Sequence, residues 1–402
     1  MTYARARLLL GMFGVGSIVV LSTVLLAFQY PLQVLPQTES WGRTDFTALL
    51  ALYGCLVAVL FPLDLLGGLV LPNHWRPKTI SLGSFLMTWL RGVLAQGMLF
   101  IAASLSILFL GRWLGIPGAV LAVASIALLL VGSQLQIAKW VGSLKTWSGR
   151  AGGASPSDDN HQQHVQATLA PAVEQALATV SRWGWRPGRV TLLKHHDTGF
   201  TGGIVGLPGW ETIVLPAATV QKLSPEQLAI MIARRSEAIE SGSRTRGLIL
   251  ALAWVIVGFT ISTLLPGAGV TSVADLAMTC LGFTLWTFLG LLTLPTLSRQ
   301  ASYAIDGAIL RSGAAPDAFV DTVSTLDTLQ DDEPHRPAWI ETIFHPVPSV
   351  GNRRNATSTT VPIAWHAARI TLFVSWACMG MLVRAVHCNV GRPELWVMLP
   401  TD

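Results

Sequence analysis

The sequence predicts an α-helical polytopic membrane protein of six or seven spans, with an α+β polar domain split by a transmembrane hairpin. Three observations carry this reading. The 402 residues are 51% hydrophobic and only 12% charged, with a mean hydropathy of +0.52, whereas a soluble domain carries about 25% charged residues. Uncharged apolar runs recur at lengths near the ~20 residues a helix needs to cross a bilayer. Two polar stretches flank a pair of such runs.

Leu8–Gln29, Gly92–Gly111, Pro117–Ile137, Leu248–Pro266 and Leu276–Leu297 qualify as spans, and Thr47–Leu63 extends through Leu65–Pro72 past the single charge of Asp64. A seventh segment, Ile370–Val383, crosses only if its flanking Arg369 and Arg384 both snorkel to the interfaces. The first run follows Arg5 and Arg7 as a signal peptide would. It is long and lacks a small-residue cleavage site, so it is expected to stay as an anchor.

Basic residues set the expected orientation. Arg5 and Arg7 precede the first span, Arg76, Lys78 and Arg91 follow the second, and Lys139, Lys145 and Arg150 follow the fourth. The positive-inside rule then places the N-terminus and both polar regions in the cytoplasm, in an inner-membrane protein. Residues 1–144 form the four-span region, 145–163 a flexible linker, 164–246 and 298–368 the two parts of the polar domain, 247–297 the hairpin, and 369–402 the seventh segment and tail. The net charge of +5 and pI near 9.3 follow from those cytoplasmic loops. No basic stretch interleaved with aromatics points to nucleic acid. Cys55, Cys280 and Cys378 lie in apolar segments, and with Cys388 they form no CxxC pair, so they read as small hydrophobes.

Within the polar regions, Thr146–Gln163 is Gly/Ser-rich and reads as linker, and Ala172–Trp183 has helical periodicity. Arg189–Lys194 reads as a strand; Gly203–Gly206 and Glu211–Pro216 read as a hairpin around Leu207, Pro208 and Gly209. The exposed edge of Glu211–Pro216 is expected to accept an extended chain. Ser224 as N-cap, Pro225 as first helical residue and Gln227 as capping-box partner start a helix over Pro225–Ser241. A second helix, Arg299–Arg311, continues from the sixth span, and the acidic Asp317–Arg336 reads as a surface segment.

This order resembles the HtpX and CAAX-prenyl-protease family of membrane zinc metallopeptidases, which implies a zincin-like domain. The residues from Thr198 to Gly203 stand where that family has an Asn-Ala-Phe-like turn. Leu223–Ala233 matches its "LSPxxLAxxxA" helix without gaps, Arg299–Asp306 its "RxxExxxD" helix, and His345–Arg353 its "HPSVxxR" element with two extra residues. The likeness covers Arg189–Arg354.

The departures carry the chemistry. In HExxH, residues at i and i+4 share a helix face, so two imidazoles reach one zinc while the Glu acts as general base. Here Arg234 and Ala238 occupy the histidine positions, Arg235 the base position, and Ser302 that of the third ligand. A guanidinium stays protonated and repels a divalent ion. No histidine lies between His196 and His335, so no shift of register restores the motif.

The expected function is an inactive pseudopeptidase without a cofactor, binding the bilayer and a membrane protein or extended polypeptide. The alternatives are an active metalloendopeptidase holding zinc through His195 or His196 with Glu237, or a transporter or channel using Asp64, the ionisable residue within a span. The HQQH pair His161 and His164 reads as linker. Arg234 and Arg235 either bridge to the retained Asp306, near Glu237, Ser302 and Arg353, or are solvated arginines at a helix end.

Overall fold

The computed structural model describes residues 2–38, 42–75, 79–142, 144–146, 159–194, 199–330, 336–337, 340–341, 345, 347–354 and 363–397. In chain order the helices are α1 (Tyr3–Ala27), α2 (Tyr30–Val34), α3 (Arg43–Leu65), α4 (Leu71–Trp75), α5 (Leu82–Gly132) and α6 (Gln134–Val141). Then come β1 (Lys145–Thr146), α7 (Asp159–Arg182), β2 (Arg189–Lys194), β3 (Gly203–Val205), β4 (Thr212–Pro216), α8 (Ala217–Val220) and α9 (Pro225–Glu240). They are followed by α10 (Ser243–Ser262), α11 (Val273–Arg311) and α12 (Pro316–Leu329). Two compact units emerge. One holds Met1–Gly142, Leu248–Pro295 and Ala367–Met398; the other holds Ser143–Gly247 and Thr296–His366.

In the first unit, five helices among the described residues are long and apolar enough to cross a membrane: α1, Arg43–Trp75, α5, α10 and α11. The third differs from the sequence expectation of two separate spans. It runs 51 residues, but Gly115 has φ 66° and ψ −154° inside it, a conformation open to glycine alone at little cost. The chain turns back there. A Cβ added to Gly118 would lie 2.3 Å from the carbonyl oxygen of Leu110, whereas eight residues of straight helix separate atoms by ~12 Å. Beside the turn, Arg112 pairs with Asp45 at 2.8 Å and donates to the carbonyl of Thr271 at 2.6 Å.

The segment near Ile370–Val383 is no continuous helix. Helical structure covers Ala367–Val374, a 3-10 turn covers Ser375–Cys378, and Met379 is left-handed at φ 58°. Eight helical residues reach only ~12 Å, and Arg384 does not snorkel, being 1% exposed. It pairs with Asp64, which also accepts from Trp89 Nε1 at 2.9 Å and from the backbone N–H of Gly391 at 3.0 Å. Arg384 further donates to Gln96 Oε1 and lies over the Trp396 ring, 4.5 Å from its centroid. Arg7, read from sequence as a topology signal, is buried and donates to the carbonyls of Gly67, His387 and Val390 at 2.8, 2.9 and 3.2 Å. A π-helical turn at Leu66–Val70 presents Gly67 and Gly68 to the same segment. A Cβ on Gly68 would lie 2.3 Å from the carbonyl oxygen of Gly391. Irregular backbone is tolerated in a membrane unit only when protein or water satisfies it, and these side chains do so.

The second unit is built on a sheet of order β1-β2-β4-β3, with β2 and β4 parallel and β3 antiparallel to β4. The strand and hairpin lie where the sequence placed them. The expected free edge does not: β4 is flanked on both sides, and β3 is the outer strand. Helix α7 begins at Asp159, inside the stretch read as linker and well before Ala172. The acidic Asp317–Arg336 also differs from expectation. Its α12 portion buries Phe319, Val323 and Leu326 in a core shared with α7, β4 and α9. That i, i+4, i+7 stripe was masked by the acidic residues between its members.

Candidate functional site

Helix α9 starts where the sequence said, with the Ser224–Gln227 capping box closed and Pro225 at its first position. The box fixes the rotational phase of every later side chain, and residues Leu228 to Ser236 are all buried. Arg234 and Ala238 therefore share a face. The extension of α11 beyond Pro295 supplies Ser302 and Asp306, and the helical turn Val350–Arg354 supplies Arg353.

Asp306 is the hub. Its Oδ1 accepts from Arg234 Nε at 2.8 Å, and its Oδ2 from Arg353 Nε at 2.7 Å. A further bond runs from Arg353 Nη2 to Oδ1 at 3.1 Å. All three side chains are fully buried. Burial alone would push the Asp306 carboxyl upward; Arg353 and Arg234 outweigh it and hold the group below its ordinary range. One carboxylate thus joins three chain segments.

Arg235 turns to the sheet and donates to the carbonyls of Val214 and Thr201, at 2.9 Å each. Thr201 Oγ1 in turn accepts from Gln330 Nε2 at 3.0 Å. Ala238 packs with Ile204, Ala301, Ile305 and Trp365 in a small apolar cluster. Ser302 donates back to the carbonyl of Ser298 at 3.1 Å. Glu237 accepts from Trp185 Nε1 at 2.9 Å. His195 and His196 lie outside the described residues, as do the side chains of His161 and His164.

The donor set does not suit a divalent metal. Two guanidinium groups, a methyl and a back-bonded hydroxyl offer no imidazole, carboxylate or thiolate to a cation. Among the described residues, no group of three or more His, Cys, Asp or Glu side chains converges as a metal cage would. Sequence reasoning missed Trp365, which is 1% exposed and belongs to the same apolar cluster as Ala238. It lies beyond the last recognisable motif and no spacing pointed to it. The Thr201–Gln330 bond was likewise invisible, its partners being far apart in sequence.

No family model matches the chain, and no curated protein matches it. Among solved structures, the chain is similar to the crystal structure of S. mikatae Ste24p, with a TM-score of 0.60 over 79% of this chain and 76% of that one. At 12% identity the likeness is one of fold. The chain thus has a Ste24-like fold, with five helices among the described residues long and apolar enough to place it in a membrane.

Proposed function

We propose that this protein is a membrane pseudopeptidase: it keeps the architecture of a membrane metallopeptidase, has lost the chemistry, and acts by binding a membrane protein or an extended polypeptide. One observation carries the reading. Arg234, at the first ligand position of the resembled motif, is fully buried against Asp306 at 2.8 Å, in an ion bridge also made by Arg353. A charge-assisted bridge between α9 and α11 does the structural work of a shared metal, and it needs no metal to hold. Arg235, bound to the carbonyls of Val214 and Thr201, stays protonated and cannot act as a general base. The reading of Asp64 as a transport residue loses support, because both its oxygens are engaged by Arg384, Trp89 and Gly391.

Binding of a polypeptide requires no catalysis; of the two edge strands, β1 and β3, the latter is buried over Gly203–Val205 and does not favour strand addition. The membrane region makes six crossings once α5 is counted as two legs meeting at Gly115. The basic loops then put the N-terminus and the polar unit in the cytoplasm.

The test compares zinc content and casein proteolysis of the purified protein with a variant carrying Arg234→His, Arg235→Glu, Ala238→His and Ser302→Glu. The expected outcome is an inert wild type. The variant gains zinc fully only when Trp365→Ala makes room for the imidazole at 238. Stoichiometric zinc in the wild type, lost on changing His195, His196 or Glu237, would establish the metalloendopeptidase instead.

A further inference from the structure

The C-terminal segment of the first unit contains one turn that is strained as well as buried. Met379 holds φ 58° and ψ 33°, the left-handed region that a residue other than glycine enters only at a steric cost. The turn is closed by the Met379 N–H donating to the Trp376 carbonyl at 3.2 Å and the Gly380 N–H to the Ser375 carbonyl at 2.8 Å. Strain of this kind persists where the surroundings fix it, and it concentrates at functional sites.

What the turn holds in place is sulfur. Cys378 and Met379 sit on it side by side, 0% and 2% exposed, and Cys280 of α11 is 4% exposed. The Cys280 thiol donates to the Met379 carbonyl at 3.2 Å, and the Cys378 thiol lies within electrostatic reach of Cys280. Met379 Sδ lies 2.8 Å from Ser104 Oγ of α5. That hydroxyl has a single proton, which it also offers to the Phe100 carbonyl at 2.8 Å, so the lone pairs of the thioether are not consumed. Two thiols and a thioether are thus gathered where the C-terminal segment packs on α5 and α11, all within one compact unit.

This donor set selects its ligand. Thiolate and thioether sulfur favour soft cations, Cu(I) above all. Zinc wants four ligands, and among the described residues no group of three or more His, Cys, Asp or Glu side chains converges to supply them. Charge points the same way. One thiolate with one monovalent cation is neutral, and an uncompensated charge inside a membrane is expensive. We propose that Cys280, Cys378 and Met379 bind one Cu(I) ion. On binding, one thiol releases its proton to solvent and a sulfur–copper bond forms; the other thiol and the thioether coordinate as neutral donors. The ion then ties the C-terminal segment to α11. This site is independent of the pseudopeptidase reading, which concerns the other unit.

The full-length protein with Cys55→Ser and Cys388→Ser is purified in detergent under nitrogen, with ascorbate as reductant. It is titrated with Cu(I) against bathocuproine disulfonate, whose coloured complex reports the copper it keeps. The expected result is stoichiometric copper withdrawn from the chelator, with that uptake lost in Cys280→Ser and in Cys378→Ser and weakened in Met379→Leu. Melting each variant without copper shows whether it is folded. X-ray absorption at the copper edge of the parent protein decides the matter even where a variant unfolds. A first shell of sulfur alone is expected, and nitrogen or oxygen in that shell overturns the proposal. No uptake by the parent, or uptake unchanged in either cysteine variant, overturns it as well.

Discussion

Asp306 is buried with two guanidinium groups on it, and removing its charge while keeping its shape separates structure from surface decoration. Asp306→Asn leaves Arg234 and Arg353 buried without their counter-ion, a situation that costs about 3–5 kcal/mol in comparable buried pairs. A large drop in thermal unfolding midpoint is expected in detergent; an unchanged midpoint would remove the ion bridge from the argument. The complementary variant, Arg234→Met with Asp306→Leu and Arg353→Met, is expected to be far milder, because buried ion networks are often matched by apolar packing. The same carboxylate gives a pH dependence of known sign. Its folded-state pKa is depressed by Arg353 and Arg234 against the effect of burial, so its contribution is complete above the unfolded value of about 3.9. That contribution is lost as pH falls through the lower folded value. The midpoint gap between wild type and Asp306→Asn should therefore hold from pH 7 to about 5 and close in stronger acid, as a melting series would record.

At the level of elements, what the sequence disclosed follows the range of the physics involved. The capping box at Ser224 and Gln227 is a contact over three residues, and α9 begins where it says. Strand β2 was equally local. The order β1-β2-β4-β3 depends on pairing between distant segments, so sequence alone takes β4 for an edge strand when it lies between β2 and β3. The retained Asp306 was visible because a motif spacing marked it, whereas Trp365 had no spacing to mark it. The C-terminal segment is the largest such case. Apolar composition suggested a crossing, and only the partners of Arg7, Asp64 and Arg384 reveal a folded-back strap. Gly68→Val is the sharp test, since even its Cβ would clash with the carbonyl oxygen of Gly391. It should destabilise the protein about as much as Asp64→Asn, and the double variant should cost much less than the sum, because either change already releases the strap. Full additivity in melting experiments would mean the two sites hold the segment independently.

For the whole molecule, the fold-back at Gly115 decides the sidedness of everything after it. If α5 crossed once, the chain would enter the polar unit on the side opposite its N-terminus, and Arg5 and Arg7 would oppose Lys139 and Lys145. If, as proposed, the two legs of α5 each cross, Ile116 would lie at the opposite surface and all four basic residues would share one side. Loop charge is the stronger determinant of insertion, and the Arg112–Asp45 pair next to the turn ties its first leg to α3. Cysteines placed at Ile116 and at Lys222, in a background with Cys55→Ser, should therefore respond oppositely to a membrane-impermeant maleimide on intact cells. Ile116→Cys is expected to react from outside, and Lys222→Cys only after the membrane is permeabilised. Labelling of both positions from the outside would refute the cytoplasmic placement of the polar unit. Protection of both would refute the reversal at Gly115, the one backbone feature on which the even number of crossings rests.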